Sequence, residues 1–221
     1  MTELMRNGKP RVVITGIGAM TPLGESVELF WEGLVAGKSG VGPMRQADAT
    51  GYPCQISGEV SDFDPERYIE KREARRMARF SQLAIAATQE AFRDAAITEG
   101  SVNGERMGVS LGNGNGGFPT IEENMRILVD RGGMRMSPFF FPMILPNMAS
   151  ANLSRSFGAF GPSNTIVTAC AASTQSIGEA AEIIRRGAAD VMITGGTEAG
   201  ISQMGLSGFA VMRALTTQND E

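Results

Sequence analysis

The stretch Asn164-Thr-Ile-Val-Thr-Ala-Cys-Ala-Ala-Ser-Thr-Gln-Ser-Ile-Gly178 decides how this chain folds around its most reactive side chain. The β-branched run 165–168 favours a strand, and the small residues behind Cys170 favour a helix that starts at once. This pattern predicts a thiol at a helix N-terminus, where unpaired N–H groups and the positive end of the dipole favour the thiolate. A small cysteine packed behind the helix is the alternative, and spacing alone leaves both interpretations open.

The residues around this stretch complete a strand–helix–strand unit. The segment 190–196 predicts the next strand. The apolar residues of the helix recur with a helical period and predict its buried face, which consists of Ile177, Ala180, Ala181 and Ile184. Short apolar runs at Arg11–Thr15 and Met107–Leu111 predict two more strands. Because consecutive strands joined by a helix lie parallel, we expect an α/β fold with a mostly parallel sheet covered by helices.

Helical periodicity predicts the remaining elements. A helix carrying Val27, Phe30, Trp31 and Leu34 is followed by a long helical stretch from Asp64 that breaks near Lys71. Further helices are expected over 120–131 and 148–157, whereas 137–142 is too aromatic and proline-broken for regular structure. We expect one domain over residues 1–221, truncated because the chain stops without a closing element.

Composition excludes several classes of function. The net charge of −4 argues against a nucleic-acid binder, and no apolar run is long enough to span a membrane. The N-terminus lacks the apolar core of a signal peptide, and two cysteines form neither a disulfide framework nor a metal site. These features predict a cytoplasmic protein. The chain has no histidine, so the usual base beside a reactive cysteine is missing.

Other motifs admit simpler explanations. Gly16-x-Gly18 lacks the third glycine of a dinucleotide site, so we interpret these residues as turn glycines. No Lys-Ser/Thr follows the glycines of 112–117, which indicates a backbone that passes close to another group rather than a phosphate loop. A basic run is either a solvated helix face or a docking patch for an acidic partner: Lys71, Arg72, Arg75, Arg76 and Arg79.

Several segments, in order along the chain, resemble the β-ketoacyl-acyl-carrier-protein synthases of type II fatty-acid synthesis, closest to the synthase II branch. They are Arg11-Val-Val-Ile-Thr-Gly-Ile-Gly18 with Thr21-Pro-Leu-Gly24, Ser137-Pro-Phe-Phe140, Asn147-Met148, Gly161-Pro162, Thr168-Ala-Cys170, Gly195-Gly-Thr-Glu198, Gly208-Phe209, Arg213-Ala-Leu215 and Asn219-Asp220. The resemblance implies the thiolase-type fold, a layered α-β-α-β-α sandwich of two similar halves, of which this chain resembles the first.

The resemblance also implies roles for individual residues. Cys170 matches the nucleophile that accepts an acyl chain, and its backbone N–H forms half of the oxyanion hole. Phe140 and Phe209 match positions that line the acyl tunnel of the family, and Phe140 is expected to reach the partner of a homodimer. Asn115 matches the position of the gate residue. Asn115 replaces the apolar gate residue, commonly isoleucine, which puts the chain-length preference in doubt. A basic surface that docks the acidic acyl carrier protein matches Arg72, Arg75, Arg76, Arg135 and Arg213.

The implied reaction needs residues that are not in this sequence. The family transfers an acyl chain from carrier-protein phosphopantetheine to the cysteine, then condenses it with malonyl-carrier protein as CO₂ leaves, without metal or nucleotide. Its two catalytic histidines, active-site lysine and second oxyanion donor lie in the second half, so we expect the chain alone to be inactive. The alternatives are a non-condensing chain-length partner and a fragment of a polyketide-synthase ketosynthase.

Overall fold

A computed structural model describes residues 5–6 and 8–220, which divide into two compact units. The first unit comprises Met1–Gly18, Phe80–Asn115 and Pro146–Glu198, and the second comprises Ala19–Arg79, Gly116–Leu145 and Ala199–Glu221. The strands are β1 (Met5–Arg6), β2 (Lys9–Pro10), β3 (Val41–Pro43), β4 (Ile56–Gly58), β5 (Met107–Gly112), β6 (Ser163–Ile166) and β7 (Val191–Gly196). The helices are α1 (Val27–Val35), α2 (Lys71–Ala74), α3 (Arg79–Asp94), α4 (Phe118–Arg131), α5 (Phe140–Ile144), α6 (Met148–Phe157), α7 (Ala172–Arg185) and α8 (Gln203–Val211).

A three-stranded parallel sheet with the order β6-β5-β7 forms the centre of the first unit. Every residue of the middle strand β5 is buried, as its unbroken apolar and small-residue sequence requires. The register sets Gly112 beside Ile166 on one neighbour and Gly196 on the other, so all three strands end at one edge. That edge is where an open parallel sheet presents its functional groups.

Helices cover both faces of this sheet. Gly112 faces α7, since a Cβ there would lie 2.5 Å from the carbonyl oxygen of Ala172. The side chain of Thr165 points to the other face, where its hydroxyl lies 2.6 Å from the hydroxyl of Ser150 on α6. The predicted α/β architecture, a parallel sheet between helices, is therefore confirmed.

The helix behind Cys170 buries a different face from the one expected. Its buried residues are Ala172, Ser176, Ala180 and Ile183, whereas Ile177 is 45% exposed. The predicted buried face of this helix was therefore wrong by about one residue. Close contacts fix the rotation of this helix, because small residues on β5 and β7 let its first turn approach the sheet. At its other end Gly187 adopts φ +74°, the left-handed conformation that commonly ends a helix at a glycine.

The second unit contains the antiparallel pair β3–β4 and the helices α1, α2, α4, α5 and α8. Tyr52 donates to or accepts from the Ser207 hydroxyl at 2.6 Å, which ties the β3–β4 region to α8. Asn219 accepts a hydrogen bond from the backbone of Gln55 at 2.8 Å and donates one to the carbonyl of Pro53 at 3.1 Å. The end of the chain is thereby anchored on the same region.

Two predictions about local structure near the N-terminus were wrong. Arg11–Thr15 is not a strand: Val13 is 67% exposed and Ile14 75%. An apolar run becomes a strand only beside a partner, and in the described residues Arg11–Thr15 pairs with neither edge strand of the sheet β6-β5-β7. Gly16 and Gly18 are not turn glycines. A Cβ at either position would collide with the backbone of α3, at Ala91 and Ala87 respectively.

Two helical predictions also need correction. On α1 the buried residue is Gly33, whereas Trp31 is 64% exposed, so the apolar stripe is only partly covered. The segment expected to be irregular contains the short helix α5, from Phe140 to Ile144. The break near Lys71 and the helices ending at Arg131 and Phe157 are confirmed. Among the helices that the structure describes, none has the length and hydrophobicity to cross a membrane.

Candidate active site

Cys170 lies between the end of β6 and the start of α7. The strand ends at Ile166, residues 169–171 form a single 3₁₀ turn, and α7 begins at Ala172. The thiol is exposed, whereas the other cysteine, Cys54, is only 3% exposed. The predicted strand-to-helix placement is confirmed, and an exposed side chain does not fit the alternative of a packed core cysteine.

The turn before Cys170 has an unusual backbone. Ala169 adopts φ +51°, a left-handed conformation that costs an alanine roughly 1–2 kcal/mol. The residue at the helix N-cap, Ala171, has no side chain that can accept from the first-turn N–H groups. The N–H groups of Ala171 and Ala172 bind the carbonyls of Thr168 and Ala169 within this turn, so the turn holds the exposed cysteine with its own backbone hydrogen bonds.

Glycines on the neighbouring strands let α7 approach the sheet edge. A Cβ at Gly112 would lie 2.5 Å from the carbonyl oxygen of Ala172, and closer still to the Ala172 carbonyl carbon and the Ser173 nitrogen. A Cβ at Gly196 would lie 2.5 Å from the Cβ of Ser173. The prediction that the 112–117 glycines let the backbone pass close to another group is therefore confirmed at Gly112.

The loop that follows β5 is attached to the loop that follows β7. Asn113 donates from its side-chain amide to the carbonyl of Thr197 at 2.7 Å. One carboxylate oxygen of Glu198 accepts the backbone N–H of Gly114 at 3.0 Å and that of Asn115 at 3.1 Å. The half-buried Asn115 thus belongs to the same unit and the same sheet edge as Cys170.

The two phenylalanines predicted to line the acyl tunnel belong to the second unit. Phe140 begins α5 and packs edge-on against Phe141, with ring centroids 5.3 Å apart. Phe209 lies on α8 and is 42% exposed. Their role in substrate binding stays a prediction.

The predicted docking arginines also lie in the second unit, and most of them are exposed. Arg72 lies on α2, Arg75 follows its end, and Arg135 ends a short 3₁₀ turn. Arg76 is less exposed, because its guanidinium lies 5.0 Å from the ring centroid of Phe139. The exposed Arg213 follows α8 and adopts φ +56°.

Arg79 differs from the other members of the basic run. Its guanidinium donates to the carbonyl of Val60 and lies 5.5 Å from the ring centroid of Phe63. Burial lowers the pKa of Arg79, although the nearby carboxylates of Glu59 and Glu25 oppose the change. The prediction of one continuous arginine face was wrong, because α2 ends at Ala74 and Arg79 starts α3.

Sequence reasoning missed the residues that connect the loops at the sheet edge. Glu198 and Thr197 appeared only as part of a family motif, and Asn113 only as part of a glycine-rich stretch. Their contacts join positions 83 or 84 residues apart, which periodicity cannot reveal. The available signal was an acid placed two residues after a strand at the functional edge of a parallel sheet.

Comparison with known proteins agrees with this geometry. The family model of the β-ketoacyl synthase N-terminal domain matches residues 9–221. The chain is 44% identical over 213 residues to 3-oxoacyl-[acyl-carrier-protein] synthase 2 of Synechocystis, covering 96% of this chain and 51% of the relative. It is 47% identical over 210 residues to the protein of the same name from Staphylococcus aureus strain COL, covering 95% and 51%.

Solved structures show the same fold. The ishigamide ketosynthase/chain length factor matches with a TM-score of 0.86 at 30% identity, over 94% of this chain and 52% of that one. A type II polyketide acyl-carrier protein in complex with its ketosynthase bound to the hexaketide matches with a TM-score of 0.80 at 28% identity, over 94% and 56%. The α/β fold is thus the thiolase-type fold of ketosynthases. The chain spans about half the length of the curated relatives it matches, and through its N-terminal domain it belongs to the β-ketoacyl synthase family.

Proposed function

We propose that this chain supplies the acyl-accepting part of a 3-oxoacyl-acyl-carrier-protein synthase, with Cys170 as the nucleophile. The observation that carries the proposal is the exposed thiol on a left-handed turn, directly between a parallel strand and the first turn of α7. The sequence similarity to synthases 2 gives this thiol a chemical role.

The first step is a thioester exchange. The Cys170 thiolate attacks the carbonyl of an acyl group held on the phosphopantetheine of an acyl carrier protein. The new C–S bond forms as the old one breaks, and the pantetheine thiolate leaves. The backbone N–H of Cys170 stabilises the oxyanion of the tetrahedral intermediate, a role supported by its position in the 3₁₀ turn that leads into α7.

The second step is a decarboxylative Claisen condensation. Malonyl-carrier protein loses CO₂, and its enolate attacks the Cys170 thioester to give 3-oxoacyl-carrier protein and the free thiol. Decarboxylation needs donors that stabilise the enolate, and this chain has no histidine to supply one. We therefore propose that these groups come from outside the 221 residues, that the chain alone does not turn over, and that no metal or nucleotide takes part.

The substrate and partner contacts follow from the same proposal. Phe140 and Phe209 line the acyl path, and Asn115 stands at its gate. The acidic carrier protein docks on a surface made of Arg72, Arg75, Arg76, Arg135 and Arg213. The exposure of four of these five arginines supports the docking role, as does the acyl-carrier-protein complex of a related ketosynthase.

A homodimer and a cytoplasmic location complete the proposal. Large apolar side chains are exposed on and near α4 and α5: Val129 is 78% exposed, Met134 99% and Phe141 67%. Such a surface supports self-association, with Phe140 reaching the partner. The free thiols of Cys54 and Cys170 suit a reducing compartment.

The alternatives have less support. A non-condensing chain-length partner has no need of an exposed thiol at this turn. The polyketide ketosynthases are similar at 28–30% identity, whereas the fatty-acid synthases 2 reach 44–47%.

Acylation of the purified chain tests the proposal. Incubation with acyl-carrier protein charged with a radiolabelled acyl group, followed by peptide mass mapping, should give one acyl adduct, on Cys170. Cys54 should remain unmodified, and the Cys170→Ala variant should give no adduct. An unmodified Cys170 would contradict the nucleophile. Addition of malonyl-carrier protein should yield no 3-oxoacyl product, so sustained turnover would overturn the claim that essential groups lie elsewhere.

A further inference from the structure

We propose that Glu198 is a positioning residue that holds the glycine-rich loop 113–116 against the left-handed turn preceding Cys170. The inference deepens the proposed function and rests on it, since the turn matters because Cys170 accepts the acyl group. Glu198 acts through the loop, and so it is not a catalytic residue.

The contacts of Glu198 support this role directly. A single carboxylate oxygen accepts two consecutive backbone N–H groups, from Gly114 at 3.0 Å and from Asn115 at 3.1 Å. Hydrogen bonds to an ionised carboxylate are about twice as strong as neutral ones. The loop lies beyond the end of β5 and before α4, where neither element binds these two N–H groups. Glu198 therefore fixes the backbone at the point where the strand has ended.

Neighbouring bonds connect the same loop to the strands on either side. The backbone N–H of Asn113 donates to the carbonyl of Ile166, the last residue of β6, at 3.0 Å. The backbone N–H of Thr197 donates to the carbonyl of Gly112 at 3.1 Å. Both bonds lie at the carboxyl edge of the sheet, so Glu198 completes a set of cross-connections between the ends of all three strands.

Close packing at Gly114 connects this set to the nucleophile. A Cβ on Gly114 would lie 2.9 Å from the Glu198 carboxylate oxygen and 3.8 Å from the carbonyl oxygen of Ala169. The loop that Glu198 binds at Gly114 therefore comes within van der Waals reach of Ala169, the residue that immediately precedes Cys170. A left-handed alanine persists only where its surroundings hold it, and the anchored loop is one of those surroundings.

Glu198 is itself exposed, which separates its role from that of a core residue. Glu198→Ala removes two charge-assisted hydrogen bonds, so it should lower the unfolding free energy to some extent. A purely structural role would end there, whereas a positioning role also slows the acylation of Cys170 at temperatures where the variant stays folded.

The test compares Glu198→Ala and Glu198→Gln with the wild-type chain. Glu179→Ala is the control, a half-buried glutamate on α7 of the same unit whose carboxylate lies 3.7 Å from the guanidinium of Arg186 and binds no loop amide that the structure describes. We expect Glu198→Ala to slow acylation of Cys170 by about tenfold, since small displacements of a reacting group are costly. Alkylation by iodoacetamide, which needs no aligned substrate, should stay within about twofold. Glutamine keeps an oxygen acceptor and should recover most of the acylation rate.

Hydrogen exchange separates this inference from the proposed function. The amides of Gly114 and Asn115 should lose protection in Glu198→Ala and keep it in Glu179→Ala. If the wild-type chain is not acylated, the proposed function fails and the exchange result alone decides the anchoring role. Unchanged protection at Gly114 and Asn115, or wild-type acylation by Glu198→Ala, would overturn the inference.

Discussion

Replacing Gly112 by alanine should displace the start of α7 and impair Cys170. Gly112 is the last residue of β5, and an added Cβ would meet three backbone atoms of Ala172 and Ser173, the nearest oxygen at 2.5 Å. Backbone cannot rotate away as a flexible side chain can, so the helix or the strand must move. Overpacking of this kind costs about 1–3 kcal/mol, and three backbone contacts favour the upper end of that range.

A glycine on the same helix provides the matched control. Gly178 lies inside α7 and is exposed, and a Cβ added to it would meet no atom within 4 Å. Alanine there should stabilise the helix by about 1 kcal/mol. For a chain of this size each kcal/mol shifts the melting temperature by about 2–4 °C. We expect Gly112→Ala to melt about 6–12 °C below the wild type and Gly178→Ala about 2–4 °C above it.

Two measurements decide the matter. Thermal unfolding followed by circular dichroism gives the melting temperatures, and acylation of Cys170 below the lower melting temperature reports the displaced nucleophile. Acylation should fall at least about tenfold in Gly112→Ala and remain unchanged in Gly178→Ala. Cys54 should stay unlabelled in both variants, because labelling of this buried thiol would signal global unfolding. A Gly112→Ala variant with wild-type melting and acylation would refute the close approach of β5 and α7.

Three further predictions concern the second unit. Arg79→Ala should lower the unfolding free energy by about 2 kcal/mol, since it removes a hydrogen bond and a cation–π contact, whereas Arg72→Ala should change it by less than about 0.5 kcal/mol. Equal effects of the two substitutions in denaturant titrations would contradict the different roles of Arg79 and Arg72. Burial opposes ionisation of Glu59, but hydrogen bonds from the N–H groups of Arg45 and Gln46 and from two serine hydroxyls outweigh it and lower the pKa of this carboxyl. Ionised Glu59 therefore stabilises the fold above about pH 4.5, and this contribution disappears as the pH falls through the lowered pKa. Between neutral and acid pH the melting temperature of Glu59→Gln should fall less than that of the wild type. An equal fall in both proteins would contradict the hydrogen bonds to Glu59. Charge reversal of Arg72 and Arg75 should weaken binding of acyl carrier protein by about 3–30-fold at low salt, as measured by calorimetry, with Arg93→Glu on α3 as the control. Equal weakening by Arg93→Glu would contradict a specific docking role of Arg72 and Arg75.

The parts of this fold that were predictable are those encoded by neighbouring residues. The strand β5 and the position of Cys170 follow from short runs of residue types, and the structure has both. Arg11–Thr15 carries an equally clear apolar run but forms no strand, because a strand also requires a partner. The signal for a strand is local, whereas the hydrogen bonds that make one are not.

The face of α7 was mispredicted for a related reason. Ile177 satisfies the helical period as well as Ile183 does, yet Ile183 is 1% exposed and Ile177 is 45% exposed. The rotation of the helix depends on Gly112 and Gly196, which contact its first turn from two separate strands. Glu198 escaped prediction in the same way, since its partners lie 83 and 84 residues away in the sequence. Long-range contacts place the details of this site, and a single sequence does not display them.

Under the proposed function, Cys170 needs more protection from water than its surroundings in the described residues provide. Apolar side chains on either side of Cys170 in the sequence are open to water: Val167 is 54% exposed and Ile177 45%. A thioester formed there would face solvent, whereas enolate chemistry requires a site from which water is excluded. Under the proposed function, the chain supplies the thiol, an oxyanion donor and the loop that Glu198 anchors, all at one edge of one sheet. That proposal requires the groups that exclude water and assist decarboxylation to approach this same edge, because the acyl carbon they act on is attached to Cys170.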